Sequence, residues 1–138
     1  MKNKLNCILL VDDDEPTNFL NKLILEEIDC AKTIQVADNG MSALNYLKKT
    51  DGESNDCPCP DLIFLDINMP AMNGWEFLER YTQLEEHRKA NVVVVMLTTS
   101  LNPDDRARAS KFSDVSGFET KPLTAEKLEN ILQKHFSA

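Results

Sequence analysis

The sequence predicts an α/β domain: a five-stranded parallel sheet, doubly wound, with five helices. Two observations carry that prediction. Short apolar runs alternate with amphipathic stretches along all 138 residues, the pattern of strands joined by crossover helices. Three of the runs, "CILLV", "LIFL" and "VVVVML", are apolar without alternation, as strands covered on both faces are.

Taken in order, the first run spans Leu5 to Val11 and ends in four consecutive carboxylates, Asp12, Asp13, Asp14 and Glu15. A helix beginning about Pro16 follows, with Leu20, Leu23, Ile24 and Ile28 at helical spacing as its apolar stripe. The second run, Lys32 to Ala37, contains "TIQVA", whose alternation suits an edge strand. After the second helix, "KKTDGESNDCPCP" (Lys48 to Pro60) reads as an irregular loop that enters the third strand at its amino end. That third run is Asp61 to Asp66, and its helix carries Phe77, Leu78, Tyr81 and Leu84. The fourth run is Asn91 to Thr98, and the stretch behind it, "ARASKF" (Ala107 to Phe112), has the weakest apolar stripe of the five helices. It predicts a short exposed helix, or one of low local stability that shifts on modification of the protein. The fifth run, Val115 to Thr120, is short and half polar, which suits the other edge. Leu128, Ile131, Leu132 and His135 or Phe136 mark the last helix. Central and edge strands together predict the order 2-1-3-4-5, whose ligand crevice lies beyond the carboxyl ends of the strands, between the first and the third.

The length fits one domain, residues 1–138, and no output domain is expected after the final helix. A net charge of -8 and a pI near 4.7 weigh against direct binding of nucleic acid or of an anionic membrane and favour a cation or a basic protein patch. No stretch approaches the roughly 20 apolar residues of a membrane span, and the N-terminus does not read as a signal peptide; a cytoplasmic location is expected. The cysteines Cys7, Cys30, Cys57 and Cys59 contain no C-x-x-C pair. Reduced thiols are expected, with the Cys57 and Cys59 loop the place where redox or metal chemistry would fall.

The chemistry concentrates at the predicted crevice. Asp12 and Asp13 close the first strand, Asp66 the third and Thr98 the fourth, and Lys121 stands just past the fifth. Two unit charges about 4 Å apart repel by roughly 4 kcal/mol at an effective dielectric near 20, so converging carboxylates call for a cation. Three carboxylates, one ammonium and one hydroxyl make a site for a hard divalent ion and an oxyanion, and magnesium prefers such oxygen ligands. Asp66 could then serve as a nucleophile toward a phosphoryl group. Asp14 and Glu15 lie past the strand, where carboxylates favour the positive end of a helix.

These residues resemble the receiver domain of bacterial two-component response regulators. The likeness rests on "VDD" after the first strand, "LDINMPAMNG" (Asp66 to Gly74), the Thr closing the fourth strand, and Lys121-Pro122 after the fifth. It implies a stand-alone, CheY-like receiver of flavodoxin-like fold in phosphorelay signal transduction. Asp66 would accept a phosphoryl group from a sensor histidine kinase or a histidine phosphotransfer protein. Magnesium would be held by Asp12, Asp13, Asp66 and the backbone carbonyl of Asn68. Lys121 would pair with the phosphoryl group, Thr98 would turn its hydroxyl toward it, and Pro122 would follow a cis peptide bond. Phe118 occupies the aromatic switch position, where many relatives carry Tyr. Asn68 and Ser100, two past the acceptor and two past the Thr, would set the lifetime of the modified state. The downstream partner is a protein the sequence does not name, and a phosphorylation-linked homodimer through the last helices is compatible with the resemblance. Such a protein is a switch rather than an enzyme, its own chemistry confined to gaining and losing one phosphoryl group.

Two other classes are weighed. A binding module that keeps the fold but works without phosphorylation is disfavoured by the complete set of acids, Thr and Lys. A phosphatase of the haloacid dehalogenase type expects Asp-x-Asp-x-Thr, but here Asp12 and Asp14 are followed by Pro16, and Asp13 by Glu15. Neither His87, in a polar helix end, nor His135, placed to favour a helix C-terminus, reads as a phosphate carrier. Trp75 reads as packing.

Overall fold

The computed structural model describes residues 5–49, 60–67, 69, 72–83, 93–98, 103–112, 115–121 and 123–136. Five strands, β1 (Leu5–Val11), β2 (Ala31–Ala37), β3 (Leu62–Asp66), β4 (Val93–Thr98) and β5 (Val115–Thr120), form one parallel sheet in the order β2-β1-β3-β4-β5. Among the described residues five helices accompany them: α1 (Glu15–Ile28), α2 (Gly40–Lys49), α3 (Gly74–Tyr81), α4 (Pro103–Ala109) and α5 (Ala125–Phe136). The predicted fold class, strand order and edge assignments all hold.

Unbroken apolar runs become central strands because successive side chains point to opposite faces and both faces are covered. Leu9, Val11, Ile63, Leu65, Val94 and Met96 pack with Leu44 and Leu47 of α2, Phe77, Leu78 and Tyr81 of α3 and Ala109 of α4. Their sequence neighbours Ile8, Leu10, Leu62, Phe64, Val95 and Leu97 pack on the other face with Leu25 of α1 and Leu128, Ile131 and Leu132 of α5. The registers align the strand ends: Val11 pairs with Ala37 and Leu65, Asp66 with Leu97, and Thr98 with Thr120. One edge of the sheet therefore carries the residues that end or follow all five strands.

The first helix differs from its sequence reading in phase. Its buried face is Asn18, Asn21 and Leu25, while Leu20 and Leu23 are 57% and 42% exposed, beside Phe19 at 65%. Ile24 and Ile28 are only partly buried. The phase is set at the N-terminus: Asp14 caps the helix by accepting from the Thr17 N–H at 3.1 Å, and Asn18 reaches back to the Asp12 carbonyl at 2.8 Å. Those two ties rotate the leucines outward, although their spacing alone is a good helical stripe.

In α3, Asn73 and Glu76 form a reciprocal capping box, with Asn73 accepting from the Glu76 N–H at 2.9 Å and Glu76 from the Asn73 N–H at 3.1 Å. Trp75 is buried, as predicted; its ring stacks on Phe112 with centroids 6.1 Å apart, and the Arg108 guanidinium lies 4.8 Å from its centroid. Ala109 is the buried residue of α4, which matches the weak apolar stripe expected there. His135 lies in the last turn of α5, as the sequence predicts. It packs over Gly117 of β5, and burial, followed by the neighbouring Lys134, lowers its pKa from the ordinary 6.5.

Candidate metal and phosphoryl site

Three carboxylates meet at the aligned strand ends. Asp12, Asp13 and Asp66 each offer one oxygen, and these oxygens lie within 4.8 Å of one another. Asp12 and Asp66 are buried and Asp13 is exposed. Burying like charges side by side is unfavourable unless a cation compensates, and Lys121 supplies one. Its Nζ stands 2.7 Å from Asp12 Oδ2 and 3.0 Å from Asp66 Oδ1. Burial works against the charge of Lys121, but its bonds to Asp12 and Asp66 outweigh that and raise its pKa above the ordinary 10.5.

Backbone ties hold these groups in place. The Lys121 N–H donates to the Thr98 carbonyl at 2.7 Å, so the chain leaving β5 is fastened to the end of β4. Asp12 donates its N–H to the Ala37 carbonyl at 3.1 Å, and its Oδ1 accepts from the Asp14 N–H at 3.0 Å. Behind Asp66, the Gly74 N–H donates to the Ile67 carbonyl at 2.8 Å. Any Cβ on Gly74 would stand 2.8 Å from the Asp66 carbonyl oxygen and 2.9 Å from Ile67 Cα, so this approach requires glycine.

Of the site residues expected from sequence, Asp12, Asp13, Asp66 and Lys121 come together. Thr98 is buried at the end of β4, one residue beyond the partner of Asp66. Phe118 is partly buried against the cluster that contains Trp75 and Met96. Asn68 and its carbonyl, Pro122 and its peptide bond, Ser100, His87, Leu84, and Cys57 and Cys59 lie outside the described residues. Cys7 and Cys30 are buried thiols outside any disulfide, Cys7 Sγ lying 3.6 Å from the Tyr46 hydroxyl. Asp14 belongs to the helix cap rather than to the cluster: hydrogen bonds from the Thr17 hydroxyl and N–H hold its carboxyl below the ordinary carboxylate value.

Sequence reasoning missed Asn18, the buried amide behind Asp12. Its signal was present: Asn18, Asn21 and Leu25 share one helical face, but polar residues on that face read as solvent-exposed. The donor set fits a hard divalent ion, since it consists of carboxylate oxygens at an accessible edge. The three acids could together hold one cation, and Lys121 places a positive charge beside them.

This doubly wound sheet, with acids gathered at the carboxyl ends of its strands, is the architecture of a receiver-type domain, and comparison with known proteins defines the family. Residues 8–133 match the response regulator receiver domain, and the chain belongs to that family. It is 33% identical to chemotaxis protein CheY-3 of Vibrio cholerae over 97% of this chain and 94% of that one. With response regulator Rcp1 of Synechocystis it shares 31% identity over 95% of this chain and 86% of that one. The crystal structure of a two component response regulator from Cytophaga hutchinsonii superposes with a TM-score of 0.86 at 34% identity, covering 99% of this chain and 100% of that one. The protein is thus a receiver domain of two-component signalling. No helix among the described residues is long and apolar enough to cross a membrane.

Proposed function

We propose that this receiver is a stand-alone switch that accepts a phosphoryl group on Asp66 from a phosphohistidine of a sensor histidine kinase or a histidine phosphotransfer protein. The observation that carries the reading is the convergence of Asp12, Asp13 and Asp66 with Lys121 held between two of them. A carboxylate oxygen of Asp66 attacks phosphorus as the bond from phosphorus to the imidazole nitrogen breaks, and the departing imidazole retains that electron pair. Lys121 moves from Asp66 Oδ1 to the new phosphoryl oxygens, which carry more negative charge than the carboxylate it leaves. Asp12, Asp13 and Asp66 would hold magnesium, together with the Asn68 carbonyl that the family resemblance implies, and the ion would supply positive charge to neutralise the transferring group. The Thr98 hydroxyl donates to the phosphoryl group, and the space it vacates lets Phe118 turn inward. That turn remodels the surface of β5 and its flanking helices for a separate protein partner. The cycle ends by loss of the phosphoryl group to water or by transfer to a second histidine.

Intact mass after incubation with acetyl phosphate, with and without magnesium, tests the proposal on the wild type and on Asp66→Asn. A magnesium-dependent gain of one phosphoryl group that disappears in the variant is the expected result. If the folded wild type stays unmodified by a panel of small donors and histidine kinases, a phosphorylation-independent binding module becomes the better reading.

A further inference from the structure

Asn18 occupies a position where a helix packed on a sheet ordinarily carries an apolar residue. It is 6% exposed, and its Nδ2 donates to the Asp12 carbonyl, six residues earlier and outside the helix. This is not the helix cap, a role that Asp14 fills. Among the described residues its Oδ1 has no donor. Burying a carbonyl without a donor is destabilising, and a leucine, which has the same branched heavy-atom skeleton, would avoid that cost and bury more apolar surface. Stability therefore does not account for the amide, whereas its tie to Asp12 does.

That tie acts on the peptide between Asp12 and Asp13, which is a rigid plane. The Asp12 carboxylate has its own supports in the Asp14 N–H and Lys121. Asp13 does not: it is exposed, and its carboxylate has no hydrogen bond among the described residues. Its aim toward Asp12 and Asp66 depends on its backbone, and the plane entering that backbone is the one Asn18 grips.

We infer that Asn18 is a positioning residue of the acidic cluster, holding the Asp12–Asp13 peptide so that the Asp13 carboxylate faces the other two and the site binds a divalent cation with full affinity. The inference rests on the proposed reading of the cluster as a magnesium site.

Magnesium titration by calorimetry, paired with thermal unfolding in chelator, tests it on the wild type, Asn18→Leu and Asn18→Ala. Asn18→Leu is expected to unfold no earlier than the wild type without metal, yet to bind magnesium about tenfold more weakly, the scale of loss when a support behind a metal ligand is removed. Its rate of modification by acetyl phosphate returns to the wild-type value once magnesium is saturating. Asn18→Ala is expected to show the same loss of affinity with a lower unfolding temperature, and it decides the matter if the leucine variant does not fold. Magnesium affinities within about twofold of wild type in the folded variants would overturn the inference and leave Asn18 a structural residue. Absence of magnesium binding in the wild type would instead overturn the metal reading beneath it.

Discussion

Lys121 Nζ bridges Asp12 Oδ2 at 2.7 Å and Asp66 Oδ1 at 3.0 Å, joining the loop after β5 to the ends of β1 and β3. The raised pKa of Lys121 means that the pair stabilises the fold fully below the ordinary 10.5 and loses that effect only as pH rises through the higher folded value. At neutral pH the contribution is complete. Lys121→Met should therefore lower metal-free stability by about 3 kcal/mol, because two buried carboxylates lose their counter-ion. Magnesium should restore more stability to the variant than it adds to the wild type, since the ion no longer competes with an ammonium. Thermal unfolding with and without magnesium checks both expectations.

Gly74 is the second constraint on Asp66. Gly74→Ala places a methyl group against the Asp66 carbonyl oxygen and Ile67 Cα, both backbone atoms that cannot swing aside. Relief requires moving α3 away from the end of β3. A loss of about 2 kcal/mol by denaturant titration is expected, together with slower modification of Asp66 by acetyl phosphate. Wild-type stability in the variant would show that the α3 entry yields more readily than this packing implies.

The phase of α1 separates residues that look equivalent in the sequence. Leu25 is fully buried against β1 and β3, so Leu25→Ala should cost about 3 kcal/mol. Leu20→Ala and Leu23→Ala, on the outward face, should each change stability by no more than about 0.5 kcal/mol. Chemical denaturation of the three variants distinguishes this phase from the one that the leucine spacing suggests.

That contrast also explains what the sequence makes legible. The central strands were readable because burial on both faces writes itself as an unbroken apolar run, as in "VVVVML". Asp12, Asp66 and Thr98 were readable because each is a polar residue at the carboxyl end of such a run, where strand order alone brings them together. Lys121 followed from the same logic after β5. The rotation of α1 was not readable, because Leu20, Leu23, Ile24 and Ile28 make as good a helical stripe as Asn18, Asn21 and Leu25. The choice between them is made by the cap at Asp14 and the tie from Asn18 to the Asp12 carbonyl. A buried asparagine is written with the same letter as an exposed one, and only the fold reveals that its amide has a task.

His135 provides a pH signature away from the site. It packs from α5 over Gly117, and burial together with Lys134 lowers its pKa below 6.5. The sign follows from linkage: above 6.5 the imidazole is neutral in folded and unfolded chains and has no effect. As pH falls through 6.5 the unfolded chain takes up a proton that the folded chain resists, so stability declines until the folded value is passed. His135→Gln should remove that component, leaving the variant less sensitive than the wild type to acidification from about pH 7 to about pH 5. Parallel unfolding temperatures across that range check it, and equal slopes for the two proteins would show that His135 is protonated as readily in the folded chain as in the unfolded one.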